Sequence, residues 1–70
     1  MNNGIVDWFN PAKGFGMIKN SMGELIFVHY SNIQMDGFKN LEVGDKVSFD
    51  CYVVYKNGEE LFEARNVRKV

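Results

Sequence analysis

Cysteine, proline and histidine occur once each in this 70-residue chain, as Cys51, Pro11 and His29. A lone cysteine closes no internal disulfide, so the fold has no covalent staple and suits a reducing compartment. Long apolar runs are missing, and nothing approaches the roughly 20 residues of a membrane-spanning helix. Met1-Asn2-Asn3-Gly4 leads directly into a strand pattern, with neither a basic stretch nor an apolar signal segment. A cytoplasmic location with no membrane partner is expected. A basic excess is missing as well. Eight Lys and Arg against nine Asp and Glu give a net charge of -1 and a pI of about 5.7, whereas most polyanion-binding domains are basic. No stretch sustains a 3.6-residue period and no segment repeats, which excludes helical bundles and solenoids.

These scarcities also weigh against catalysis. A nucleophile needs a base beside it, and period-two parity sets Cys51 in the core and His29 on the opposite face. Asp7, Glu24, Asp36, Asp50, Glu59 and Glu60 are scattered over turns and strands without the spacing of a cation site. The Glu59-Glu60 pair reads as a solvated turn. The expectation is a protein that is not an enzyme and has no catalytic residues, metal, cofactor or small-molecule substrate.

Aromatic residues, by contrast, are plentiful at 14%, within a hydrophobic content of 46% that is ordinary for a globular chain. Seventy residues make one domain, spanning 1–70, in which folding buries only about 60% of the unfolded surface. The core must therefore be thin, and the rings are either buried in it or put to use.

Gly4-Ile5-Val6-Asp7-Trp8-Phe9-Asn10 reads as a first strand. Strict alternation sets Trp8 with Val6, towards the core, whereas a bulge near Trp8 would turn its ring to the other face; the pattern leaves both open. Asn10-Pro11-Ala12-Lys13-Gly14 is a turn, because Asn-Pro starts one and proline donates no ladder hydrogen bond. Two runs follow. Lys13-Gly14-Phe15-Gly16-Met17-Ile18 puts Phe15, Met17 and Lys19 on one face and Gly16 and Ile18 on the other. Leu25-Ile26-Phe27-Val28-His29-Tyr30 puts Phe27 and His29 on one face and Ile26 and Val28 on the other. Ile18, Ile26 and Val28 supply a core, which leaves Phe15, Phe27 and His29 where a half-solvated sheet should be polar. A lysine-studded aromatic sheet face is what stacking on unpaired bases requires. Gly14 and Gly16, bracketing Phe15, allow either sheet curvature or close approach of a ligand.

Asn20-Ser21-Met22-Gly23-Glu24 joins these runs as an antiparallel hairpin. Residues 31–45 form the longest irregular stretch, in which Phe38 is either a plug over a barrel end or a mobile stacking residue. Lys46 to Val53 alternates cleanly, with Val47, Phe49, Cys51 and Val53 expected inward. Asn57-Gly58 signals a tight primed turn, and Glu60 to Val70 returns as a last strand with Ala64 and Val67 as core positions. Five short strands and one long loop indicate a small closed or nearly closed antiparallel barrel.

The two central runs are similar to the two ribonucleoprotein motifs. Together with Gly4 to Asn10 and with Ile33-Gln34-Met35-Asp36-Gly37-Phe38-Lys39, they resemble the bacterial cold-shock proteins over nearly the whole chain. An RNA-recognition motif also carries such a glycine–aromatic run, but it wants an aromatic where this chain has Asn20 and needs two amphipathic helices. The cold-shock resemblance implies an all-β, five-stranded antiparallel OB-fold barrel that binds single-stranded RNA and DNA. It further implies an RNA chaperone or a regulator of transcription or translation in the stress response, acting as a monomer. Matched position by position, the stacking residues would be Trp8, Phe15, Phe27, His29, Tyr30 and Phe38, with Met17 in the place of a usual phenylalanine. Asn10 and Lys13 match positions touching base edges and backbone, and Lys39 lies beside Phe38. The chain departs from the pattern at Asp7, where lysine is usual, and at Leu25, where an acid is common. Extra residues around Tyr55 to Leu61 lengthen the last hairpin. The alternative to nucleic acid is a peptide taken by the same aromatic face, which would have less need of Lys13, Lys19 and Lys39.

Overall fold

Alternation of apolar and polar residues without helical periodicity leaves the chain one way to bury a core, a sheet curled on itself. The computed structural model describes residues 2–34 and 40–70. Its strands are β1 (Asn2–Asn10), β2 (Phe15–Asn20), β3 (Leu25–His29), β4 (Lys46–Lys56) and β5 (Glu59–Lys69), with a 3-10 turn over Tyr30–Asn32 after β3. They close into a barrel in the order β1-β2-β3-β5-β4. The OB-type barrel expected from the sequence is therefore present, with one correction to its pairing. β3 and β5 run parallel, with Phe27 opposite Glu63 and Val28 opposite Ala64. Parity requires this: directions cannot alternate all the way round a closed ring with an odd number of strands, so one neighbouring pair must be parallel.

The core gathers Val6, Ile18, Ile26, Val28, Ile33, Leu41, Val47, Phe49, Ala64 and Val67. β2 and β3 give their inward residues by plain alternation, Ile18 facing Ile26 across the pair. β4 does so only at first. Val47 and Phe49 are buried, but Cys51 and Val53, expected inward by the same parity, are exposed. The reason lies in the partner strand. β1 pairs with β4 from Lys46 to Phe49, and beyond Phe49 the pairing of β4 among the described residues is with β5 alone. The rest of β4 and the start of β5 form a two-stranded arm that ends in the expected primed turn, with Asn57 at φ 51° and Gly58 at φ 78°. Partial burial, then the nearby Glu24 carboxylate, raise the Cys51 thiol above its ordinary pKa. That is the reverse of what an activated nucleophile needs.

Candidate nucleic-acid interface

The first side chain of the interface is set by an irregularity in β1. Val6 pairs with Ile18 and Trp8 with the next β2 residue, Met17, so Asp7 is an extra residue with nothing opposite. This bulge resolves the choice left open by alternation. Val6 is buried, whereas Trp8 is 40% exposed and stands outside the barrel beside Met17. The bulge also draws β1 onto β2 at Gly16, where an added Cβ would lie 2.7 Å from the Phe9 Cα. Gly16 thus serves a backbone contact within the protein.

From Trp8 the outer face continues by register. Met17 lies opposite Phe27, and Phe15 opposite His29. Trp8 meets Phe15 edge to face, with centroids 5.8 Å apart and planes at 76°. Phe15 stacks on Phe27 at 6.0 Å and 29°. Phe15, Met17, Phe27 and His29 are half-buried, so each ring is held at its edges by neighbours and keeps part of its surface open to solvent. A second aromatic pair, His29 and Tyr30, sits at the end of β3 with centroids 4.5 Å apart. Tyr30 is 49% exposed. Its N–H donates to the Gly14 carbonyl at 2.8 Å, and its ring lies so close over Gly14 that a Cβ there would come within 2.5 Å of Cδ1. The backbone N–H of Ser31 donates to His29 Nδ1 at 3.3 Å, and the Ser31 hydroxyl is 2.8 Å from the same nitrogen. Since a backbone N–H can only donate, Nδ1 accepts and the neutral imidazole carries its proton on Nε2. That leaves Nε2–H as a donor.

Among the polar residues, Asn10 also has a part in the loop itself. Asn10 Oδ1 accepts from the backbone N–H groups of Ala12 and Lys13, at 3.0 and 3.1 Å. The carbonyl of that side chain thus holds the loop that presents Lys13, and its amide group alone is left for a ligand. Lys13 and Lys19 are exposed, as is Asp7. The two ion pairs among the described residues, Arg65 with Glu63 and Lys69 with Asp45, involve neither lysine. Phe38 and Lys39 lie outside the described residues.

One part of the site was not foreseen. A groove of about 600 Å³ lies over the junction of β3 and β5, with Phe27 and His29 on one side and Val54, Leu61 and Glu63 on the other. The lengthened hairpin is thus the far wall of the aromatic face. Its signal in the sequence was the apolar content on both sides of Asn57-Gly58, Val53-Val54-Tyr55 and Leu61-Phe62, longer than a bare turn needs. What could not be read was that chain closure sets this arm beside Phe27.

Comparison with known proteins places the chain in a family. The family model described as the 'Cold-shock' DNA-binding domain matches residues 2–70. Cold shock protein CspC of Bacillus subtilis is 49% identical over 69 residues, covering 99% of this chain and 98% of its own. The major cold shock protein CspA of Pseudomonas aeruginosa is 48% identical over 68 residues, covering 97% and 93%. Cold shock protein 1 of Lactiplantibacillus plantarum is 58% identical over 50 residues, covering 71% and 76%. With its model matched from the first strand to the last residue, the chain belongs to the cold-shock domain family of nucleic-acid-binding proteins.

Proposed function

We propose that this protein binds single-stranded RNA and DNA by stacking successive bases on Trp8, Phe15, Phe27, His29 and Tyr30. The observation that carries the proposal is the unbroken contact from Trp8 through Phe15 to Phe27 on the outside of the barrel. Large rings there raise the cost of exposed apolar surface unless a ligand covers them. Bases suit this surface because each has two π faces, and every base–aromatic stack is worth about 1–3 kcal/mol. A duplex hides those faces, so the platform favours unpaired strands. Met17, between Trp8 and Phe27, lies against a base through its polarisable sulfur. Lys13 and Lys19 meet the backbone, and the Nε2–H of His29 reaches a base carbonyl.

A protein that binds only the unpaired form shifts RNA away from its hairpins by mass action. On this basis the protein acts in the cytoplasm as a monomeric RNA chaperone or as a regulator of transcription or translation. It does so without catalysis, because holding a strand open needs only differential affinity. The test is titration of the protein with oligothymidine and oligouridine while Trp8 emission is followed, with a duplex of equal length as competitor. Saturable quenching by the single strands, poorly reversed by the duplex, is expected. Unchanged emission at saturating oligonucleotide, with no shift in a labelled strand's anisotropy, refutes the reading.

A further inference from the structure

The single-strand reading says that bases lie on the rings; the β3–β5 junction says which base. Phe27 stands opposite Glu63, so the two side chains are neighbours on the outer face of strands about 4.8 Å apart. A base lying on the Phe27 ring has one edge over β5, within reach of that carboxylate. Glu63 is held in place there. Asn32 Nδ2 donates to its Oε1 at 3.3 Å, and the Arg65 guanidinium is 3.7 Å from Oε2, with the Glu63 side chain only 24% exposed. Arg65 is in turn fixed 4.4 Å from the centroid of the Tyr52 ring. The carboxylate lines the groove whose far wall is Val54 and Leu61, which pair with each other and share the face of Glu63 along β5.

We propose that Glu63 is a specificity-determining residue that selects guanine on the Phe27 ring. A carboxylate only accepts hydrogen bonds. Guanine offers two adjacent donors on its Watson–Crick edge, N1–H and N2–H, which match the two carboxylate oxygens. Adenine and cytosine offer one amino group beside a ring nitrogen that accepts, and uracil and thymine one imino N–H between two carbonyls. Each of these sets lone pairs against the carboxylate. Leu61 and Val54 cover the free side of the base and exclude water from the pair, which strengthens the discrimination. The inference rests on the single-strand reading, since a base must first occupy Phe27.

The experiment walks one guanosine through a thymidine heptamer and repeats the walk with adenosine and with inosine, which keeps N1–H and lacks the N2 amino group. Affinity is read from the anisotropy of a labelled strand. Guanosine should raise affinity about tenfold at one register, in line with a bidentate base contact; adenosine should not, and inosine should recover part of the gain. Glu63→Gln should abolish the guanosine preference and bind all-thymidine strands more tightly, because a negative charge leaves the groove. A flat guanosine profile, an adenosine gain equal to the guanosine gain, or a preference that survives Glu63→Gln overturns the proposal. In each of those cases, thymidine binding by the parent leaves the single-strand reading standing. If no oligomer binds, both fall together. The inosine arm uses the unaltered protein, so the proposal stays open to refutation even if the variant folds poorly.

Discussion

Phe15 is the middle ring of the platform, and Phe15→Ala separates its structural from its functional worth. Removing the ring breaks the edge-to-face contact with Trp8 at 5.8 Å and the stack on Phe27 at 6.0 Å. Aromatic pairs contribute about 0.5–1.5 kcal/mol each. Half-burial of Phe15 sets these two towards the low end, about 1–2 kcal/mol together. In a domain of this size 1 kcal/mol moves Tm by about 4–8 °C, so a fall of about 5–15 °C is expected. Binding loses more. The stack on Phe15 itself is worth about 1–3 kcal/mol, and Trp8 and Phe27 lose the ring that fixes their tilt. Affinity for oligothymidine should drop about 5- to 150-fold. Trp8 emission changes with its neighbour, so a labelled strand followed by anisotropy is the proper readout, well below the variant's Tm. Phe49→Leu is the control. Phe49 is 1% exposed, inside the barrel, so the variant should lose stability while its folded fraction binds like the parent. If Phe15→Ala loses stability yet binds within twofold of the parent, the ring is structural and the interface lies elsewhere.

Other outcomes follow from the same surface. With few cations near the rings, about one to three phosphates are contacted, and log affinity for single strands should fall with log salt at a slope of about -1 to -2, measured by titration between low and physiological salt. Asp7, exposed at the bulge beside Trp8, repels a passing phosphate by about 0.7 kcal/mol at roughly 6 Å in water, cut by about half by screening. Asp7→Lys reverses the sign and so doubles the effect; it should tighten binding about threefold at physiological salt and up to about tenfold where screening is weak, and steepen the salt slope by up to about one unit. Asp7→Asn should gain about half the free energy in the same titrations. Below the barrel, the Glu42 N–H at 3.0 Å and then Lys69 hold the Asp45 carboxyl below its ordinary pKa of 3.8. A lowered folded pKa means stability that is present above about pH 4 and lost as pH falls towards the folded value. Thermal melts should show Tm declining below about pH 4 in the parent, and less so in Asp45→Asn.

The sequence was most legible where one strand reports on itself. β2 and β3 sort Ile18, Ile26 and Val28 from Phe15, Phe27 and His29 by period two alone, and Asn57-Gly58 announces its turn because few other pairs tolerate two left-handed residues. It was least legible where a side chain's surroundings depend on a strand distant in the chain. Cys51 and Val53 have the right parity for a core but lie beyond Phe49, past the stretch of β4 that β1 pairs with, and are exposed. The groove wall at Leu61 and the approach of Glu63 to Phe27 need the parallel β3–β5 pairing. That pairing follows from barrel closure and leaves no mark in local pattern.

Trp8 and Val67 show why period two had to fail at two places for the site to exist. On β1 the extra residue Asp7 separates a buried Val6 from an exposed Trp8, two positions that alternation would have set on one face. On β5 the extra residue works in the opposite sense. Asn66 and Val67 together oppose Phe49, with Asn66 at φ 54°, so that Ala64 and Val67, three apart, both point inward. The Asn66 amide donates to Asp50 Oδ2 at 2.9 Å and fastens the bulge to β4. A barrel this small must draw its core and its ligand face from the same few strands. Without the first bulge, Trp8 would enter a core already filled there by Val6 and Ile18, and Phe15 would lose the edge contact that begins the platform. Without the second, Val67 would turn to solvent and take its bridge to Ile33 with it, loosening the 3-10 turn on which Tyr30 and Asn32 are carried. The binding face is thus fixed as much by two register defects as by the rings themselves, and the residues that create them, Asp7 and Asn66, are among the least hydrophobic in their strands.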